Sequence, residues 1–301
     1  MIKIFLVLLS TISFCFAGEA RKIDPVSENT LPNMPFDPVK QVKIAAVAVN
    51  PVGSAPVPAT ADQAEAFKAA NRAKLAGRIR EAAAQGAEII VTPEFGVTGY
   101  PDIPGLTPEE DNFRSRDDIR PYVEAVPGPS SIYFGKLAAE LKVYIHFSLA
   151  TAMTPDSPYH DSVVVVNPKG DVVAVYSKIE LFHIETNYLV PGDGPVTYDG
   201  PAGKTGLIIC SDSYSPRALN PYRGQVDLLT LSSSWAESNT GMAQFQQTAR
   251  QMGTYFVAAN QMYFPDSGVV NPDGTTQTHI RQSEVTAYGY LPRKQFLGIF
   301  P

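Results

Sequence analysis

Residues 206–216, GLIICSDSYSP, set a short apolar run against a polar turn, and the change falls at a cysteine. Gly206–Cys210 reads as a buried strand whose last residue is the thiol, because a brief apolar run bounded by turn-forming Ser, Asp and Pro has strand length. Runs of the same kind lie on both sides of it. Val42–Val49 (VKIAAVAV), Glu88–Thr92 (EIIVT), Val143–Ala150, Asp227–Leu231 and Tyr255–Ala259 are all strand-like. Between the first two, Ala61–Gln85 carries Ala64, Phe67, Ala70, Leu75, Ile79 and Ala82 near helical spacing, and Gly86 follows as a stop. Ser130–Leu141 and Thr240–Met252 are helical in character. Ser162–Asn167 and Asp171–Ser177 flank Pro168-Lys169-Gly170, which predicts a hairpin. Strands alternating with helices imply an α/β fold with covered sheets, and the hairpin makes at least one sheet mixed. No linker-like stretch interrupts residues 42–290, so one domain is expected.

The 301 residues carry a formal net charge of -6, which argues against a surface that tracks nucleic-acid phosphates. The N-terminus reads MIKIFLVLLSTISFCFA. Lys3 precedes an apolar stretch, and Ala17 is small enough for cleavage, so residues 1–17 are expected to be a signal peptide, too short for a spanning helix of about 20 residues. Residues 18–41 hold prolines 25, 32, 35 and 38 and read as a loose arm. The expected location is secreted or periplasmic, with no stable membrane insertion once the signal is removed.

The only cysteines are Cys15 and Cys210, so a cleaved chain keeps one thiol and forms no internal disulfide. A lone cysteine in an exported protein is a candidate reactive thiol. Free cysteines are also among the most buried residues, so composition alone leaves a structural role open.

Position narrows the choice. Glu94 follows the strand EIIVT in TPEFGVTGYP, and Lys178 follows the second hairpin strand in VYSKIELF. Together with Cys210 they form three polar groups at three strand ends, where a rigid sheet presents side chains to loops. The combination has a chemical logic. A carboxylate can take the thiol proton, the thiolate can attack an amide carbonyl, and an ammonium can stabilise the oxyanion. The same carboxylic acid can return the proton to the leaving amine. No cofactor is needed. The four histidines share no ligand spacing, and neither G-x-x-x-x-G-K nor G-x-G-x-x-G occurs, so no metal, phosphate or dinucleotide site is expected.

These residues resemble the nitrilase superfamily of carbon–nitrogen hydrolases, over about Val42 to Gly274. GAEIIVTPEFGVTGY is similar to the family's glutamate motif, GDVVAVYSKIELF to its lysine motif and GLIICSDSYSP to its nucleophile motif. The resemblance implies a four-layer α-β-β-α sandwich with mixed sheets, with Glu94 as general base, Lys178 as oxyanion stabiliser and Cys210 as nucleophile. It implies that Glu185, in HIETNYLVPGD, orients Lys178, and that the Ser211 N–H is a second oxyanion donor. Phe95, Tyr214 and Trp235 are expected pocket walls. Asp212 and Pro216 keep the family's spacing after the cysteine.

Two departures matter. Tyr214 and Ser215 stand where many members have an arginine and an aromatic residue, so substrate preference does not carry over. The run PYVEAVPGP (residues 121–129) and the signal peptide give a weak resemblance to the pantetheinase and biotinidase branch. The expected activity is hydrolysis of a small linear amide or related C–N bond through a thioester. Nitrile hydrolysis and amide-forming acyl transfer remain open on the same residues, as does an exported binding protein without activity. A homodimer is expected by the resemblance alone.

Overall fold

The computed structural model describes residues 36–101, 113–234, 241–261, 266–281 and 284–294. The signal-peptide segment and residues 18–35 of the arm lie outside this set. The first strand, β1 (Gln41–Val47), begins one residue before the expected domain start. Helix α1 (Ala61–Ala84) starts where Thr60 accepts from the Gln63 N–H and Gln63 returns a bond to the Thr60 N–H. It ends before Gly86, whose φ of 83° suits glycine. Then come β2 (Ile89–Val91), the single turn α2 (Arg116–Ile119), α3 (Pro129–Leu141) and β3 (Tyr144–Thr151). The hairpin is β4 (His160–Val166) and β5 (Val172–Ser177).

The second half holds β6 (Thr197–Gly200), β7 (Gly203–Ile209), the single turn α4 (Pro216–Leu219) and β8 (Leu228–Ser233). It closes with α5 (Gly241–Met252), β9 (Tyr255–Asn260), β10 (Ser267–Val270), β11 (Thr276–Ile280) and β12 (Thr286–Pro292).

Two six-stranded sheets form, ordered β12-β1-β2-β3-β4-β5 and β11-β10-β9-β8-β7-β6. In the first, β1, β2 and β3 are parallel and the outer pairings antiparallel. In the second, β7, β8 and β9 are parallel, again between antiparallel neighbours. Both sheets are therefore mixed.

The layers follow from strand alternation. On β1, Val42, Ile44 and Ala46 join Leu228, Val257 and Val269 in the core between the sheets. Ala45 and Val47 point the other way, onto Leu75 and Ile79 of α1 and Phe134 and Leu137 of α3. On β7, Leu207 and Ile209 meet Val163, Val165 and Tyr176 across the seam, while Ile208 meets Phe245 of α5. Strands buried on both faces read as continuous apolar runs, which is why they stand out in the sequence. Each such Ile or Leu contributes about 1.5–3 kcal/mol by leaving water. The result is the expected α-β-β-α sandwich. A buried polar bridge crosses the seam: His146 on β3 bonds Thr230 Oγ1 at 3.2 Å and the Tyr198 hydroxyl at 2.7 Å. Among the described residues, no helix is long and apolar enough to cross a membrane.

Candidate active site

Strand direction gathers the polar ends. β2, β3 and β5 run the same way, and β4 runs opposite, so the loops after β2 and β5 share one end of the sheet with the start of β4. The parallel strands β7, β8 and β9 end together on the facing sheet. Glu94, Asp161, Lys178, Cys210, Ser233 and Gln261 all sit at these ends.

Lys178 is the centre. Its ammonium donates to Glu94 Oε1 at 2.8 Å and to Glu185 at 2.9 Å, with Asp161 Oδ2 at 3.9 Å. All four side chains are buried. Burial pushes the Lys178 ammonium down, but Glu185 and Glu94, with Cys210 and Asp161, outweigh it and hold the group well above the ordinary lysine range. The three carboxyl groups lie within 4.8 Å of one another, close enough to cage a cation, and the cation there is Lys178. Glu185 comes from a 3-10 turn (His183–Asn187), where its second oxygen accepts from the Phe182 N–H at 2.7 Å.

Glu94 is tied to both sheets. Its Oε2 accepts from the Ser234 N–H at 2.8 Å, its carbonyl accepts from Gln261 Nε2 at 3.1 Å, and its own N–H donates to the Ser233 carbonyl at 3.4 Å.

Cys210 opens a 3-10 turn (Cys210–Tyr214) directly after β7, with φ of 41°. A non-glycine residue in that region is strained, and the elbow lifts the half-buried thiol off the strand end. Burial pushes the thiol well above its ordinary range, Glu94 adds to this, and Lys178 opposes it. The thiol therefore rests protonated. Asp212 locks the elbow to the lysine loop. Its Oδ1 accepts from Ile179 N–H at 3.1 Å and Glu180 N–H at 2.8 Å, and its Oδ2 from Ile209 N–H at 2.9 Å and the Tyr176 hydroxyl at 2.7 Å. Burial still raises the Asp212 carboxyl to about 6.

The expected residues fall as follows. Glu94, Lys178 and Glu185 meet directly, and Cys210 is close enough for their charges to act on its thiol. Ser211 is the second residue of the elbow, where the first N–H groups of a helical turn have no partner within it. Its hydroxyl bonds the Glu180 carbonyl. Phe95 is fully buried beside Glu94, with its ring 5.3 Å from Tyr100. Tyr214 is about half exposed at the end of the elbow. Trp235 lies outside the described residues. Sequence reasoning missed Asp161, Ser148, Ser233 and Gln261. Ser148 Oγ accepts from the Phe95 N–H at 2.9 Å and donates to Asp161 Oδ1 at 3.2 Å.

The carbon–nitrogen hydrolase profile matches residues 43–294, nearly all of the described structure. The chain belongs to the carbon–nitrogen hydrolase family. Two curated relatives bear on this carbon–nitrogen hydrolase. A nitrilase of Pyrococcus abyssi is 32% identical over 150 residues, 49% of this chain and 52% of the relative. A pantetheinase of Mus musculus is 29% identical over 261 residues, 74% of this chain and 48% of the relative. The chain thus spans about half the length of both. The crystal structure of Saccharomyces cerevisiae Nit3, of the nitrilase superfamily, shares the fold with a TM-score of 0.68 at 20% identity, covering 84% of this chain and 90% of Nit3.

Proposed function

We propose that this hydrolase is an exported thiol amidase that cleaves small linear amides through an acyl-enzyme on Cys210. The observation that carries the reading is the Lys178 ammonium, held between Glu94 and Glu185 at 2.8 and 2.9 Å beside a thiol on a strained elbow. Because the thiol rests protonated, attack is coupled to proton transfer. As the S–C bond forms, the thiol proton moves to Glu94. The oxyanion is held by Lys178 and the Ser211 N–H. Collapse breaks the C–N bond, and Glu94 returns the proton to the leaving amine or ammonia. Glu94 then takes a proton from water as its oxygen attacks the thioester; the C–S bond breaks, the acid leaves, and Glu94 returns the proton to the Cys210 sulfur. Glu185 keeps Lys178 aimed throughout. The signal-like segment at residues 1–17 supports export.

A second reading is supported by the nitrilase relative: the same thiol can add to a nitrile carbon. Mass spectrometry of the protein quenched during turnover of an amide panel tests both. The expected result is an acyl mass on the peptide containing Cys210. Wild-type rates in Cys210→Ala would refute the thiol mechanism, and ammonia release from nitriles alone would favour the second reading.

A further inference from the structure

Asp161 opens β4 and is fully buried among the site groups. Its Oδ1 accepts from Ser148 Oγ at 3.2 Å. Its Oδ2 is buried with no hydrogen-bond donor among the described residues, and Lys178, already bonded to Glu94 and Glu185, stays 3.9 Å away. A buried ionised oxygen without a donor is costly. Three carboxyl groups within 4.8 Å around one ammonium also cannot all ionise cheaply. One proton on Oδ2 answers both problems. It turns the orphan acceptor into a donor, and Glu94 is a neighbouring carboxylate, within 4.8 Å of Asp161 in the same cluster.

We propose that Asp161 is a positioning residue that keeps its proton at neutral pH and donates it in a hydrogen bond to Glu94, holding that base ionised and aimed at Cys210. The inference rests on the thiol-amidase reading. The titratable groups facing Asp161 are Glu94 after β2, Lys178 after β5, Glu185 on its 3-10 turn, and Tyr100 and Tyr188. Burial, and then the Glu94 charge, push the Asp161 carboxyl well above its ordinary range, with Lys178 opposing. No proton changes owner in the resting state. Once Asp161 ionises at high pH, Glu94 loses its donor and gains a like charge beside it. The rate then falls, so the alkaline limb of the pH–rate profile reports Asp161.

The test compares Asp161→Asn, whose carboxamide donates the same bond without titrating, with Asp161→Ala, which removes the donor. The alanine variant is expected to lose about 10- to 100-fold in kcat, the worth of one charge-assisted hydrogen bond. The asparagine variant recovers most of this and loses the alkaline limb. Infrared difference spectra at neutral pH should carry the carbonyl stretch of a neutral carboxylic acid in the wild type and lack it in Asp161→Asn. That measurement needs no activity. An unchanged alkaline limb in Asp161→Asn, equal impairment of the two variants, or no acid carbonyl signal overturns the proposal. Cys210→Ala in the same amide panel separates the two claims: its retained activity sinks the thiol reading, while the infrared result decides the proton on Asp161 either way.

Discussion

Replacing Lys178 by Met removes the one positive charge among three buried acids while keeping an unbranched side chain of similar length. At 2.8 Å and an effective dielectric of about 20, each direct contact is worth about 6 kcal/mol of attraction. Desolvation of the ammonium and the carboxylates takes back most of this, and breaking a buried pair typically costs a net 3–5 kcal/mol. Lys178→Met is therefore expected to unfold about 3–5 kcal/mol more easily in urea at pH 8. The penalty depends on pH in a definite direction. Burial already raises the Glu185 carboxyl above its ordinary range with Lys178 opposing, so in the variant, without that opposition, the folded chain binds protons more readily than the wild type does. Acidification lets the folded variant take those protons up, and the deficit shrinks by about 1.4 kcal/mol per pH unit for each acid that titrates. Urea titrations of both proteins at pH 5, 6.5 and 8 measure the gap. Amide turnover should fall about 10²–10³-fold at every pH, as expected for a lost oxyanion donor. Equal urea midpoints at pH 8, or a gap that fails to narrow toward pH 5, would refute the reasoning.

Substitutions at three other buried groups, Asp212, His146 and Tyr198, have defined outcomes. Asp212→Asn should destabilise by about 3 kcal/mol, since its amide nitrogen meets N–H and O–H donors instead of accepting from them, and should slow alkylation of Cys210 by iodoacetamide. The Asp212 carboxyl rises from 3.8 to about 6 on folding, so acidification from pH 7 to about 4 adds stability through this group, and the asparagine variant loses that gain in urea titrations. His146 has the opposite sign: burial lowers it from 6.5 to about 3, so the wild type loses about 1.4 kcal/mol per pH unit through it as pH falls below 6.5, and His146→Gln should flatten that slope. Tyr198→Phe, which leaves the His146 Nε2 without its partner, should cost about 1–3 kcal/mol in the same titrations.

The sequence exposes the core strands because each is buried on both faces, and a run such as GLIIC or EIIVT needs no partner to be recognised. Glu94, Lys178 and Cys210 were legible for the same reason: each interrupts such a run at its end. The late strands were not. β11 (TQTHI) is almost wholly polar, β12 alternates half-buried with buried residues, and β12 pairs with β1 across more than two hundred residues of chain. Nothing local announces that pairing. β6 is four residues long and half exposed, too short for a periodic signal. Asp161 stayed hidden because an acid before VVVV reads as a solvated strand end. Only the antiparallel turn of β4 brings it beside Lys178. Ser148 lies inside an apolar strand and Ser233 inside a run of three serines, so neither carries a spacing that marks it. Ser148 acts within the first sheet, between Phe95 and Asp161, whereas Ser233 meets Glu94 only when the second sheet closes over the first.

Because Glu94 is fastened by Ser234, Ser233 and Gln261, the proposed base belongs mechanically to both sheets at once. Sliding one sheet along the other would load these bonds directly. The active centre is thus the molecule's own shear gauge. Gentle stress, from hydrostatic pressure or dilute denaturant, should silence catalysis while both sheets remain intact.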